Sequence, residues 1–386
     1  MLRVKRNEIN WPTSLFLIST LVLFLTVVPV YLWHNSLDLF QIGLFLFFFF
    51  GTGMSITVGY HRLFSHRAFE ARWPVRLFTL LFGAAAFESS CLDWAADHRR
   101  HHKHADQELD PHDITKGFFH AHMGWLLRKM NPPSSHATVP DLQQDKWIAW
   151  QHRFYIPIAF VMGLGLPAFL GWLWGGPSAA LGSLLISGIA RLVIVQHMTF
   201  FINSLCHCVG RQPYSTQFTA RDSGIMAVFT FGEGYHNFHH EFQHDYRNGV
   251  KAWQYDPTKW AIWALQKLGL TRNLRRVPDE KILLAEIREK QRRLQARLNA
   301  SPTTLSEPLH HFLHNAQDRL KQASANWELR QAEYRQALRT KMEASREKIA
   351  ELQTEFHASA ERLRAAIKEW QEAYQRVQAQ FRAMPC

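Results

Sequence analysis

Gly232-Glu233-Gly234-Tyr235-His236-Asn237-Phe238-His239-His240 places three imidazoles at i, i+3 and i+4. On a helix those positions share one face, about 5–6 Å apart, close enough to converge on a small metal site. The spacing recurs upstream as His98-Arg99-Arg100-His101-His102, and a further pair stands at His61 and His66. A chain with 22 histidines could produce one such box by chance; two copies plus His-x4-His point to a multinuclear histidine site. His61 and His66, at i and i+5, do not share a face of a straight α-helix, so they are expected to straddle the end of a helix. Asn203-Ser204-Leu205-Cys206-His207 adds a ninth imidazole. Nine nitrogens are too many for one tetrahedral zinc and suit two metals with four or five each. Imidazole accepts zinc, copper, iron and nickel, so the residue type does not name the metal.

The rest of the chain must deliver these groups to one place. From Trp11 to Trp33 no residue is charged, and Leu39–Tyr60 is again uncharged, each long enough for one membrane span. A third uncharged run begins at Phe154 and is interrupted by Gly175-Gly176-Pro177-Ser178. The expected fold is an all-α membrane protein with four spans, about residues 12–33, 39–60, 154–174 and 180–203, arranged as two hairpins. A cytosolic helical cap carries the histidines. Lys and Arg collect on the cytoplasmic side: Arg3, Lys5 and Arg6 flank the first span, and neither outer turn holds a Lys or Arg. Both termini and all histidine groups are therefore expected in the cytosol. Trp73–Trp94 would put the groups on opposite sides if it crossed, and its uncharged core is too short, so it reads as an interfacial or re-entrant amphipathic helix. Arg191 falls inside the fourth span, facing either the bundle interior or the outer interface.

Composition narrows the class further. The net charge of +12 comes without a nucleic-acid-binding motif, and suits a membrane surface or an anionic substrate better. Cys91, Cys206, Cys208 and Cys386 form no Cys-x-x-Cys and read as free thiols in a reducing compartment. The first apolar stretch is too long for a secretory leader and lacks a small-residue cleavage site. Near Pro278 the composition turns to Glu, Arg, Gln, Ala and Leu, which sets a boundary between residues 1–277 and 278–386. Lys281–Asn299 reads as a helix and Ser301–Pro308 as a break. From His310 to Phe381, apolar residues at three- and four-residue steps, including Leu363, Ile367, Trp370, Tyr374, Val377 and Phe381, form a coiled-coil-like seam. That seam is expected to self-associate or to dock an electron donor. His104, His112, His120 and His122 complete no ligand-spaced group and read as hydrogen-bonding or surface residues.

Together His61-Arg62-Leu63-Phe64-Ser65-His66-Arg67, Asp97-His98-Arg99-Arg100-His101-His102-Lys103, Asn203-x3-His207 and the Gly232–His240 stretch resemble the membrane acyl-CoA Δ9 desaturases of the stearoyl-CoA desaturase type. Asp110-Pro111-His112, Gly117-Phe118-Phe119 and Gly124-Trp125-Leu126-Leu127 add to a likeness spanning about residues 10–260. The resemblance implies a di-iron centre held by His61, His66, His98, His101, His102, His207, His236, His239 and His240, with Asn203 reaching one metal through water. It implies dioxygen-dependent insertion of a cis double bond at carbon 9 of a saturated acyl chain, C16 or C18, carried as the CoA thioester. Electrons would come from a reductase and a small cytochrome or ferredoxin, since the chain has no flavin or nicotinamide fingerprint, and bound haem is not expected either. Trp94 and Thr199 match residues lining the bend of the acyl tunnel, Trp125 falls in a matching motif, and Arg128 and Lys129 match basic contacts to the thioester carrier. Ala96 and Ser89 depart from the arginine and asparagine of the animal enzymes, which leaves acyl-carrier protein or phospholipid open as carriers. The tail after Pro278 has no counterpart in the animal pattern. Two other classes stay in view: a lipid hydroxylase of the same histidine-box type, and a metal-binding membrane scaffold or transporter.

Overall fold

The computed structural model describes residues 8–130, 135–300, 305–340 and 346–383; Arg3, Lys5, Arg6, Cys386 and the first half of the expected break at 301–308 lie outside them. The chain divides into two compact units, Met1–Val277 and Pro278–Cys386.

In the first unit the principal helices are α1 (Trp11–His34) and α2 (Leu39–Ser65), α3 (Trp73–Ala84) and α4 (Cys91–His104), α5 (Lys146–Arg153), α6 (Tyr155–Cys208), α7 (His236–Glu241) and α8 (Pro257–Lys267). Its sheet is a single antiparallel pair, β1 (Glu70–Ala71) with β2 (Thr271–Arg272), in register Glu70↔Arg272. Among the described residues three stretches, α1, α2 and α6, are long and apolar enough to cross a membrane. Their outer faces stay bare, with Leu15, Phe47 and Trp172 each more than half exposed, a surface suited to lipid and unsuited to water.

Asp38 starts α2 with a reciprocal cap, its carboxylate accepting from Gln41 N–H at 2.7 Å while Gln41 Oε1 accepts from Asp38 N–H. The 54-residue α6 is not straight. Gly176, at φ 70°, reverses the chain where a side chain would be strained, and Gly163 on the first leg meets Arg191 on the second. Arg191 is fully buried and donates to the carbonyls of Ser187, Ala85 and Gly163 at 3.0, 2.6 and 2.7 Å. It faces the interior, capping the end of α3 and tying it to both legs of α6.

One expectation changes. Trp73–Trp94 is not one helix: α3 stops at Ala84, the chain turns through Phe87 and Ser89, both at positive φ, and α4 begins at Cys91 under the Ser90 cap. His61 and His66 straddle the end of α2 as expected, His61 inside the helix and His66 capping it. The last eleven residues of α2, Ser55–Ser65, wind as a π-helix, and His66 N–H bonds to His61 C=O. An i→i+5 winding brings residues five apart onto one face, so His61 and His66 point together.

The second unit holds α9 (Asp279–Ala300), α10 (Glu307–Arg339) and α11 (Arg346–Ala383). Helices α10 and α11 run antiparallel, with Arg319–Glu369 at 3.0 Å, Arg330–Glu355 at 2.8 Å and Arg376 over the Phe312 ring. Helix α9 runs alongside α11 through Glu280–Arg364 and Arg297–Gln378. The sequence read 310–381 as one continuous seam for an outside partner. Here the stripe is spent within the unit, where Leu363, Ile367, Trp370 and Val377 pack with Leu320, Trp327 and Ile287.

Candidate metal centre

The π-helical end of α2, helix α4, the end of α6 and helix α7 bring the nine histidines into two buried groups. His61, His66, His98, His102 and His239 form one; His101, His207, His236 and His240 form the other. Within each group one nitrogen from every ring lies within 4.8 Å of all the others. Each His-x-x-His-His box serves both groups. Successive residues on a helix are about 100° apart, so His101 and His102 face different pockets, as do His239 and His240.

The contacts are between Nε2 atoms. His61 and His239 are 3.0 Å apart, His66 and His98 2.7 Å, and His102 and His239 2.9 Å. In the second group His101 and His240 are 3.1 Å apart, His207 and His236 3.2 Å, and His236 and His240 3.1 Å.

What lies behind the rings fixes the tautomers. His101 Nδ1 is 2.9 Å from both Asp110 oxygens, and His61 Nδ1 is 2.9 Å from Glu233 Oε2. A carboxylate only accepts, so each Nδ1 carries the proton and each Nε2 presents a lone pair. His207 Nδ1 lies 2.7 Å from Thr219 Oγ1, whose hydroxyl donates to Asp106 Oδ1. One proton on His239 Nε2 can serve His61 or His102, not both, whereas a cation between them serves all three lone pairs. Added protons are no alternative. Burial, followed by neighbouring imidazoles, holds His66, His98, His102, His236, His239 and His240 well below the usual histidine range. The donor set therefore fits metal cations.

Glu233 also anchors the loop that carries α7. Arg62 Nη2 is 2.8 Å from Glu233 and Arg62 Nη1 donates to Asp256 at 3.1 Å, with all three side chains at most 2 % exposed. Gly232, at φ 99°, would drive a Cβ into Asp256, so the stretch Gly232-Glu233-Gly234 closes tightly over Arg62. The sequence reading named none of Asp110, Thr219, Arg62 or Glu233 as working residues. The available signal was a carboxylate inside or shortly after a histidine box, the usual company of a metal-binding imidazole.

The other expected residues fall around this core. Trp94 stacks on His98 with ring centroids 4.8 Å apart. Thr199 and Trp94 flank Glu88, whose carboxylate oxygens are both shut away from solvent. Burial pushes the Glu88 carboxyl up to about 8, with Thr199 and Trp94 pulling it back. Trp125 lies against His112 at 5.4 Å, and its indole N–H is buried without a partner; His112 packs on His101 at 4.2 Å. Asn203 sits half-buried at the end of the helix leading to His207. Arg128 and Lys129 are exposed, and their backbones pair with Ile9 and Glu8. His122 meets His197 at 3.0 Å, apart from both groups.

Apolar helices long enough to cross a membrane, ending in two all-imidazole pockets, define a class, the histidine-box proteins. Residues 39–275 match the model of the Fatty acid desaturase family. The chain is 40 % identical over 281 residues to Acyl-CoA desaturase 1 of Saccharomyces cerevisiae, covering 72 % of this chain and 54 % of that one. It is 39 % identical over 297 residues to the Probable acyl-CoA desaturase of Schizosaccharomyces pombe, covering 75 % and 61 %. Against Stearoyl-CoA desaturase of Homo sapiens it is 34 % identical over 242 residues, covering 62 % and 67 %. The chain belongs to the fatty acid desaturase family, and it spans a little over half the length of the two yeast relatives.

Proposed function

We propose that this protein is an acyl-CoA Δ9 desaturase. The observation carrying the proposal is the pair of pockets in which nine imidazoles aim Nε2 lone pairs inward while carboxylates hold ring protons behind them. The overall reaction takes two hydrogens from neighbouring methylenes of a C16 or C18 chain. Dioxygen, two external electrons and two protons end as two waters, and the chain gains a cis double bond at carbon 9. The nine histidines would hold two irons as the cofactor, with Asn203 a further candidate ligand through water. Iron bound there supplies activation of dioxygen for breaking an alkyl C–H bond.

The chain's own residues do the remaining work. Glu233, Asp110 and Thr219 keep His61, His101 and His207 in the tautomer that presents Nε2. Trp94 and Thr199 line the acyl chain's path beside the first pocket, and Trp94 shields His98 from water. Trp125 offers its unpartnered N–H to the substrate, and Arg128 and Lys129 meet the anionic carrier. Electrons arrive from a small cytochrome or ferredoxin with its reductase. Residues 1–277 form the desaturase domain and 278–386 a helical extension. The two legs of α6 cross separately, giving four spans with both termini and the pockets on the cytosolic side, since the interior role of Arg191 leaves the outer turn at Gly175-Gly176 free of Lys and Arg.

A host lacking its own desaturase, fed a defined saturated acid, tests this. The expected result is cis-monounsaturated C16 and C18 chains with the wild type and none with His239→Ala, the variant still reaching the membrane. Products carrying added oxygen would reassign the protein as a hydroxylase. Unchanged lipids with a zinc-only protein would make it a scaffold.

A further inference from the structure

Among the described residues a separate cluster has metal-ligand geometry outside the two pockets. Asp93 in the first turn of α4, His136 in the short turn His136–Thr138, and His152 near the end of α5 converge from three elements. Asp93 Oδ1 is 2.7 Å from His136 Nε2, and Asp93 Oδ2 is 3.4 Å from His152 Nδ1. The two rings stand perpendicular, 5.4 Å between centroids. One atom from each of the three residues lies within 4.8 Å of the other two.

We propose that Asp93, His136 and His152 bind a single divalent zinc ion, independent of the metals in the two pockets. Two imidazoles and one carboxylate are the donor types zinc prefers, and three protein ligands leave a fourth position for water. All three side chains are about one-third exposed, so the site loads directly from solvent. The supporting shell is in place. Ser90 caps α4, accepting from Asp93 N–H, and its Oγ lies 2.7 Å from both Asp93 Oδ2 and His152 Nδ1. Ser90 Oγ donates to Asp93 Oδ2 and can accept from His152 Nδ1, so one hydroxyl orients both ligands. An ordinary surface aspartate needs one histidine to be paired; here imidazoles from two unrelated elements meet on the same carboxylate. Zinc would pin the start of α4 to α5 and to the turn at His136. Trp94, the residue after Asp93, stacks on His98, so the pinned turn also steadies one wall of the first pocket.

The test offers zinc alone to the full-length, iron-loaded protein, dialyses, and counts bound zinc in the wild type and in His136→Ala/His152→Ala. The expected result is one more zinc per chain in the wild type at equal iron content, with a zinc-dependent rise in melting temperature that the double variant lacks. A difference between the two proteins is meaningful whatever the pockets hold, so this test stands apart from the desaturase proposal. Equal zinc in both proteins means a hydrogen-bonded cluster only and overturns the site. Should the double variant not fold, cobalt offered to the iron-loaded wild type should give the visible bands of a tetrahedral site. Their absence would equally overturn it.

Discussion

The two units of this chain are both helical and both bury apolar side chains, yet their surfaces and buried polar groups differ. Residues 1–277 bury imidazoles and charges, including Arg62, Glu233 and Asp256, beside an apolar core, and also leave many phenylalanines, leucines and tryptophans bare. Residues 278–386 bury leucine and tryptophan and expose arginine and glutamate. The surface is thus what the surroundings set: lipid tolerates bare apolar faces, and water demands charged ones.

If that contrast holds, mutations should separate the units. Glu233→Ala removes one of the two buried carboxylates that face Arg62, leaving Asp256 alone, a change of up to about 3–5 kcal/mol, and frees His61 to turn. The expected outcome is loss of product to background together with loss of bound metal, read by lipid profiling and elemental analysis. Retained metal would detach Glu233 from the pocket. Trp370→Ala removes a fully buried ring from the second unit at a cost of about 3–5 kcal/mol. Limited proteolysis should show residues 278–386 degrading faster while metal content stays unchanged. Metal loss in this variant would mean that the two units depend on each other.

Asp110→Asn is a smaller change of the same kind. The amide no longer enforces the Nδ1 proton on His101, and metal affinity should fall roughly 10–100-fold, measured by competition with a chelator. Smallest is Glu88→Gln. The folded protein holds the Glu88 proton up to about 8 against an ordinary 4.5, so its stabilising effect is complete below pH 4.5 and is lost as pH rises through 8. Relative to Glu88→Gln, the wild-type melting temperature should decline between those limits. Parallel curves would contradict a raised Glu88 carboxyl in the folded protein.

Much of this was readable from residue order. The uncharged runs announced the apolar helices, and helical spacing picked out the histidines before any coordinates. Two features resisted. The pairing of His61 with His66 depends on a π-winding of Ser55–Ser65, which no residue in that segment signals. The division of each box between two pockets depends on which rings the facing helices offer, a matter of tertiary packing. The partner of Arg191 was hidden for a simpler reason: it is three backbone carbonyls, and carbonyls are common to every sequence. The tail's stripe was visible, but periodicity alone does not tell a seam for a second chain from one closed by the next helix.

The most direct measurement is the metal content of the protein purified from an iron-replete host, paired with the spectrum of the bound metal. Two irons per chain in nitrogen-rich surroundings, falling in both His239→Ala and His240→Ala, are the predicted result, one variant from each pocket. A single metal, or a full complement of iron that survives loss of either histidine, would contradict it.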